Sequence, residues 1–525
     1  MSRPLAVALV LLSPALAAAA GMYPYVSKGP VILGVTPSEA WVSWYTVHHQ
    51  GTSKFGNTCY NDALTGSPND TIPTVTLKLP NGSGATFEDP TCSRFHRVHL
   101  VNLQPDTAYS FTLDMEYASG GAKASGSFKT APAAHRPFKF VVYGDNRDAE
   151  STATSTRALH ESVVAAIRAS DADADFLLNT GDMALNLPVV SGDDRGYTEF
   201  FEIERPLLAT HPSVFAFSNH ESIDPEFYDG LASAALFAGA PHPRYFSFDW
   251  GKVHVAVLDA FEGAHSTFSG NDPMVTDAQA QWLDGDLAAA KARGQKLFLM
   301  SHHGAFSHGT GDAHGGNADM QKKIVPLMLK YGVLSTFAGH DHYFEHGREQ
   351  CTDYLVVGAG GAPLYAPDFT AAGLIYAFAE PSFVVVSVDA AGNAKGVAKD
   401  GQGNVIHAWD FVPAGCETAA DAGMPAEDAG TVVVGEDAAA QGSDDAATEV
   451  ADGSQVALDA AAQPGPDAQA AQPGLDAASV VTPGKDAGSG AVAPKGCGCS
   501  SAGSSTGLVG LVLASVLARR WRRRS

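Results

Sequence analysis

From about residue 22 to 132, apolar and polar residues alternate in short runs, as in Ala40-Trp41-Val42-Ser43-Trp44-Tyr45 and Phe95-His96-Arg97-Val98-His99-Leu100. A period of two sends successive side chains to opposite faces of a strand, and the Gly, Pro, Asn and Asp between runs mark turns. This pattern predicts a small β-sandwich. From Arg136 the period changes. Residues 138–143 are apolar but for Lys139, as in a strand covered on both faces. Residues 157–169 carry Leu159, Val163 and Ile167 at four-residue steps, as in a helix with one buried face. Further strands are predicted at 176–179, 214–217, 253–258, 297–300, 334–337 and 354–357, and helices at 277–293 and 320–331. Strands alternating with helices give an α/β layered domain that runs from 136 to about Cys416.

Beyond Cys416 the pattern dissolves into Ala, Asp, Gly, Pro and Gln. Residues 417–495 hold fourteen acidic side chains against two lysines, too little apolar surface to fold, and are predicted to be a disordered stalk. Then follow GCGCSS at 496–501, an apolar stretch at 506–518 and five arginines around Trp521. At the other end, Arg3, an apolar run at 5–12 and small residues at 15–20 have the order of a signal peptide over residues 1–20. Export would allow disulfides, with Cys59–Cys92 and Cys351–Cys416 as plausible pairs and other pairings open. The net charge of −24 repels polyanions and argues against a nucleic-acid scaffold. Small phosphorylated substrates stay open, because a metal centre brings its own positive charge.

Five polar clusters each stand where an apolar strand ends: YGDNR (143–147), NTGDM (179–183), SNHE (218–221), SHHGAFSHG (301–309) and AGHDH (338–342). Singly they mean little, since a Gly-Asp after a strand is ordinarily a turn and a lone buried His a satisfied core group. Together they supply carboxylates, a carboxamide and imidazoles, with no thiolate. Such donors suit Fe, Mn or Zn. Strand ends in α/β sheets converge on one crevice, so the five clusters are expected to meet.

The order GD…GD…NHE…H…GHDH resembles the calcineurin-like metallophosphoesterase superfamily. The stretches FHRVHLVNLQPDTAYSFTL and SFKTAP resemble the fibronectin type III-like domain that precedes the catalytic domain in purple acid phosphatases, so the chain looks like a divergent relative of those enzymes. The resemblance implies a four-layer α/β/β/α catalytic domain with two metal ions bridged by Asp182. Asn219, His302 and His340 would complete the second metal's shell, with His302 preferred over His303. Asp145 and His342 would hold the first. His220 would serve near the leaving group as general acid or transition-state stabiliser, and His308 would approach the substrate. Metal-borne hydroxide would be the nucleophile, and two close cations would orient the phosphoryl oxygens. Two positions depart from the pattern. Arg147 stands where many members have His, and Leu185 stands where purple acid phosphatases have Tyr, so the first metal lacks a ligand. His160 is a candidate to fill that gap, against a plain reading as a helix-face residue, while Arg147 is a candidate to hold the substrate phosphate. The expected function is an exported phosphomonoesterase. A phosphodiesterase or nucleotidase, and a phosphate-binding surface protein that has lost the first metal, are the alternatives. The tail is similar to the C-terminal sorting signals of myxobacterial surface proteins, which implies a processing protease and surface display; a permanent single-span membrane anchor is the other reading.

Overall fold

The computed structural model describes residues 26–50, 74–89, 93–114, 123–147, 156–185, 196–223, 225–233, 240–261, 275–311 and 313–416. The expected signal peptide, the Cys59–Cys92 pair, the acidic stalk and the C-terminal tail lie outside the described residues. Among the described residues, no helix is long and apolar enough to cross a membrane.

The alternating runs fold as expected. Strands β1 (Val26–Leu33), β2 (Ala40–Gln50), β3 (Thr74–Lys78), β4 (Gly84–Glu88), β5 (Ser93–Leu100), β6 (Ala108–Asp114) and β7 (Lys123–Lys129) form two antiparallel sheets. Their orders are β1-β2-β5 and β4-β3-β6-β7. On β6, Tyr109, Phe111 and Leu113 are buried while their neighbours face water, the period of two read from the sequence.

The second part holds two larger sheets. In the first, β8 (Phe138–Tyr143), β9 (Phe176–Asn179) and β10 (Ser213–Phe215) are parallel, and β20 (Ser382–Val388), β21 (Ala394–Asp400) and β22 (Val405–Asp410) extend it antiparallel. In the second, β12 (Val253–Val257), β13 (Lys296–Met300), β15 (Ser335–Ala338) and β17 (Thr352–Val357) are parallel. Strands β11 (Phe246–Trp250), β16 (Phe344–Glu349) and β19 (Leu374–Phe378) flank them antiparallel, and a small ribbon pairs β14 (Gly309–Thr310) with β18 (Ala366–Pro367).

These strands read as nearly unbroken apolar runs because they are covered on both faces. Along β8, Phe138, Phe140 and Val142 belong to the core that also takes Phe298 and Met300 of β13. Val141 and Tyr143 point the other way, to Val163 and Ile167 of helix α1 (Arg157–Ser170) and Leu207 of helix α2 (Tyr197–Leu208). On β13, Leu297 and Leu299 pack outward with Leu283 and Leu287 of helix α4 (Asp277–Ala292). The layers are therefore helix, sheet, sheet, helix. Helix α3 (Asn219–Ile223) is a single short turn after β10.

One predicted helix differs. Residues 320–331 are two pieces, α5 (Ala318–Lys323) and α6 (Val325–Tyr331). Pro326 has no N–H to give to the preceding turn and its ring would strike that turn's carbonyl, so the helix restarts there.

The β-sandwich packs on the segment that follows α3. Tyr45 and Phe95 pack against Phe227 tilted and edge-on, with ring centroids 5.2 and 5.4 Å away. The Arg97 guanidinium donates to the Gly230 carbonyl at 3.0 Å. A Cβ on Gly230 would come within 2.2 Å of the Phe95 ring, so only glycine allows this approach.

Candidate metal centre

The five clusters meet where the C-terminal ends of the parallel strands in the two sheets face one another. The crevice is shared by the two sheets. Asp145 follows β8 and Asp182 follows β9, its parallel neighbour. Ser218 and Asn219 follow β10. His302 follows β13 and His340 follows β15, again parallel neighbours. Backbone bonds knit the loops together: Asp145 N–H donates to the Gly181 carbonyl at 2.9 Å, and Gly339 N–H to the His302 carbonyl at 2.8 Å.

Three of these residues hold an uncommon conformation. Asp145, Asp182 and His340 have φ of 56°, 54° and 72°. Left-handed backbone at a residue with a side chain costs of order 1–3 kcal/mol, and clusters where surrounding structure enforces it at functional sites. Each follows a glycine, and the space explains that choice. A Cβ on Gly339 would lie 2.2 Å from Asp145 Oδ2, and one on Gly144 would lie 1.9 Å from Thr180 Oγ1.

Ligand-capable atoms of Asp145, Asp182 and His302 all lie within 4.8 Å of one another, and all three residues are buried. The donor chemistry fits a cation. A carbonyl only accepts, so His302 Nδ1, 2.9 Å from the Thr180 carbonyl, carries the proton and leaves the Nε2 lone pair for a metal. That Nε2 is 3.3 Å from Asp182 Oδ1 and 3.2 Å from His340 Nδ1. Such spans suit donors each about 2.0–2.2 Å from one ion. His342 is oriented likewise, with Nδ1 on the Pro363 carbonyl at 2.6 Å and Nε2 3.7 Å from Asp145 Oδ1. Asn219 Oδ1 is buried and has no hydrogen-bond partner in the protein, which for an amide oxygen is costly unless a ligand takes it.

The electrostatics agree. Burial, then the charge of Asp182, pushes the Asp145 carboxyl well above its usual range. Two buried carboxylates so close need a cation to be charged together. Burial, then the neighbouring imidazoles, holds His340 well below its usual value, and burial, then Arg147, does the same to His342. Both are thus neutral, the form that binds metal.

His220 and Arg147 stand at Asp182. His220 Nδ1 donates to the Leu185 carbonyl, and its Nε2 is 3.6 Å from Asp182 Oδ2. Arg147 Nε is 3.3 Å from the same oxygen.

Two expected residues belong elsewhere. His160 is not turned to the cluster; its Nε2 bonds Glu204 Oε1 at 2.8 Å, and Tyr143 donates to the other Glu204 oxygen at 2.9 Å. It therefore does not fill the first metal's gap, because a buried carboxylate claims it first. Replacing His160 by Ala is expected to cost about 3 kcal/mol in denaturant unfolding while bound metal per chain stays constant; loss of an ion would restore it as a ligand.

His308 is likewise not presented to substrate. Its Nδ1 is 2.8 Å from Glu345 Oε1 and its Nε2 is 2.8 Å from Glu349 Oε1. The Glu345 hydrogen bond, against an opposing burial effect, raises its pKa. A raised folded value stabilises fully below the unfolded value of about 6.5, and that stability is lost as pH rises through the raised value. His308→Gln should therefore lower the melting temperature at pH 5.5 and have little effect once pH exceeds the raised value. Equal losses at both ends would remove the charged clamp from the account.

The sequence reading missed the supports. Glu221 lies buried and accepts the backbone N–H of Asp182 and of Met183, each at 3.1 Å, and its Oε2 also lies against the Ser218 oxygen. Burial, then Asp182, pushes its pKa up to about 8. The NHE triplet hinted at it, but a lone acid at the start of a helix reads as a favourable end charge. Around the rim, the His314 ring stacks on His340 at 4.3 Å and Tyr365 on His342 at 4.1 Å.

No protein-family profile matches the chain. An uncharacterized protein of Mycobacterium tuberculosis is 23% identical over 336 residues, 59% of each chain. Mouse tartrate-resistant acid phosphatase type 5 is 27% identical over 210 residues, 36% of this chain and 61% of its own length. Purple acid phosphatase 23 of Arabidopsis thaliana is 22% identical over 310 residues, 52% of this chain and 63% of its own. The chain thus spans about three fifths of the curated relatives it matches. Among solved structures, a purple acid phosphatase from yellow lupin seeds superposes with a TM-score of 0.56 at 18% identity over 74% of both chains. PhoD superposes with a TM-score of 0.50 at 12% identity over 74% of this chain and 90% of its own. Architecture and strand-end site together give the chain the metallophosphoesterase fold of the purple acid phosphatases.

Proposed function

We propose that the chain is a metal-dependent phosphoesterase acting on small phosphate monoesters. The observation that carries this reading is the buried Asp145–Asp182–His302 group, within 4.8 Å at the meeting of two sheets. Asp182, Asn219, His302 and His340 would hold one cation, and Asp145 and His342 line the position beside it. A cation there supplies Lewis acidity toward a phosphoryl group and an attacking water. The protein's own part is positioning and charge. Arg147 offers a planar guanidinium, a shape that matches phosphoryl oxygens. His220, its Nδ1 fixed by Leu185, keeps Nε2 to take a proton and hand it to the leaving oxygen. His314 and Tyr365 wall the approach.

Export to the cell surface is part of the same reading. The signal-like N-terminus supports it, as does the Cys351–Cys416 disulfide, since such bonds persist in oxidising compartments. The three- and four-stranded sheets of the N-terminal part support a fibronectin type III-like sandwich.

Steady-state hydrolysis of 4-nitrophenyl phosphate and bis(4-nitrophenyl) phosphate by the manganese-loaded full chain tests the substrate class. Faster monoester turnover is expected. Preference for the diester would move the reading to phosphodiesterase, and binding of phosphate without turnover of either ester would move it to a surface receptor.

A further inference from the structure

We propose that this centre holds one metal ion tightly, on the Asp182–His302 side, and that the Arg147 guanidinium supplies the positive charge a second ion would bring. The inference rests on the phosphoesterase reading above. It starts from how the two oxygens of Asp182 are divided. Oδ1 faces His302 Nε2 at 3.3 Å and accepts the Ser218 hydroxyl. Oδ2 faces Arg147 Nε at 3.3 Å and His220 Nε2 at 3.6 Å. A carboxylate bridges two cations by turning an oxygen to each, and here the second oxygen already faces a fixed cation.

Arg147 is held in that place. Its backbone N–H donates to the Asp182 carbonyl at 3.0 Å, and its side chain is 6% exposed. A buried guanidinium needs carboxylate neighbours, and Asp182 Oδ2 is one of them. Among the described residues, without Asp182 Oδ2 a second ion is left with Asp145 and His342, whose nearest donor atoms are 3.7 Å apart. Neither candidate for a further ligand is available: Leu185 has no donor, and His160 is bonded to Glu204. With the guanidinium on Asp182 Oδ2, a cation bound at Asp145 and His342 would sit beside a like charge. The first side thus has few donors and a repelling neighbour. The opposite side has Asp182 Oδ1, His302 and His340, with the buried, unpartnered Asn219 oxygen. The charge that repels a second metal attracts an anionic phosphoryl group.

The test is metal content of the full-length chain, loaded with manganese or zinc and dialysed exhaustively into metal-free buffer, measured by plasma mass spectrometry. One equivalent is expected for the wild type. Arg147→His replaces the repelling charge with a ligand and is expected to retain about two. Arg147→Met is expected to stay at one while the KM for 4-nitrophenyl phosphate rises at least about tenfold, on the scale of a lost charge-assisted contact. Thermal melts establish that each variant folds, and the wild-type count decides alone if Arg147→His does not. Two equivalents in an active wild type overturn this inference and leave the phosphoesterase reading standing. No bound metal and no hydrolysis overturn both.

Discussion

Replacing Asp182 by Asn is expected to abolish tight metal binding and to lower turnover of an aryl phosphate by at least about 10²–10³-fold, the scale seen when one preorganised electrostatic group is lost from a site. The fold should survive. Asn has nearly the same shape, and its amide oxygen can still accept from Ser218 at the position of Oδ1. What disappears is charge: Asp182 faces His302 on one side and Arg147 on the other, and a neutral amide attracts neither a cation nor the guanidinium. Plasma mass spectrometry, circular dichroism and steady-state rates on the same preparation separate these effects. Retention of metal and rate in the Asn variant would show that the cluster's carboxylate is structural.

Glu221→Ala is expected to have the second largest effect, although Glu221 is assigned neither to metal nor to substrate. Its carboxyl oxygens accept the backbone N–H of Asp182 and Met183, both at 3.1 Å, and so fix the loop on which Asp182 stands at φ 54°. Alanine would leave two buried N–H groups unsatisfied, at about 1–3 kcal/mol each, and would let the strained loop relax. Residues that orient ligands typically cost about 10–100-fold in metal affinity when removed. The expected result is therefore a lower denaturation midpoint together with that loss in a metal titration. Glu221→Gln should fall between, since its amide oxygen can accept from one N–H while its NH₂ opposes the other. A Glu221→Ala protein with lower stability but unchanged metal affinity would separate the brace from the site.

Most positions of the strand-end cluster were legible in the sequence because the signal is local. Asp145, Asp182, His302 and His340 each come two or three residues after an apolar run, and a strand covered on both faces leaves no other reading for such a run. The α/β layering followed from the same runs. What was not legible is where long-range partners compete for a side chain. Nothing near His160 in sequence announces Glu204, 44 residues on. The partners of His308 come from β16, where Glu345 and Glu349 lie on one face at even spacing. Both histidines fitted the metal or substrate pattern by type and position, and both were claimed by buried acids that only the tertiary fold supplies. The break at Pro326 could have been read from the sequence, since proline inside a helical stretch marks a restart. Glu221 needed the structure, because its work is done on the backbone of a loop nearly forty residues away.

If the strand-end cluster is a working metal centre, hydrolysis depends on a bound ion. Chelation and reconstitution of the full chain test it most directly, with 4-nitrophenyl phosphate as substrate and Mn, Fe or Zn as the restoring ion. The expected result is loss of hydrolysis on complete removal of metal and recovery on adding one of these ions, with no recovery in the Asp182→Asn protein. Hydrolysis that persists in metal-free protein, or recovers equally without Asp182, would contradict it.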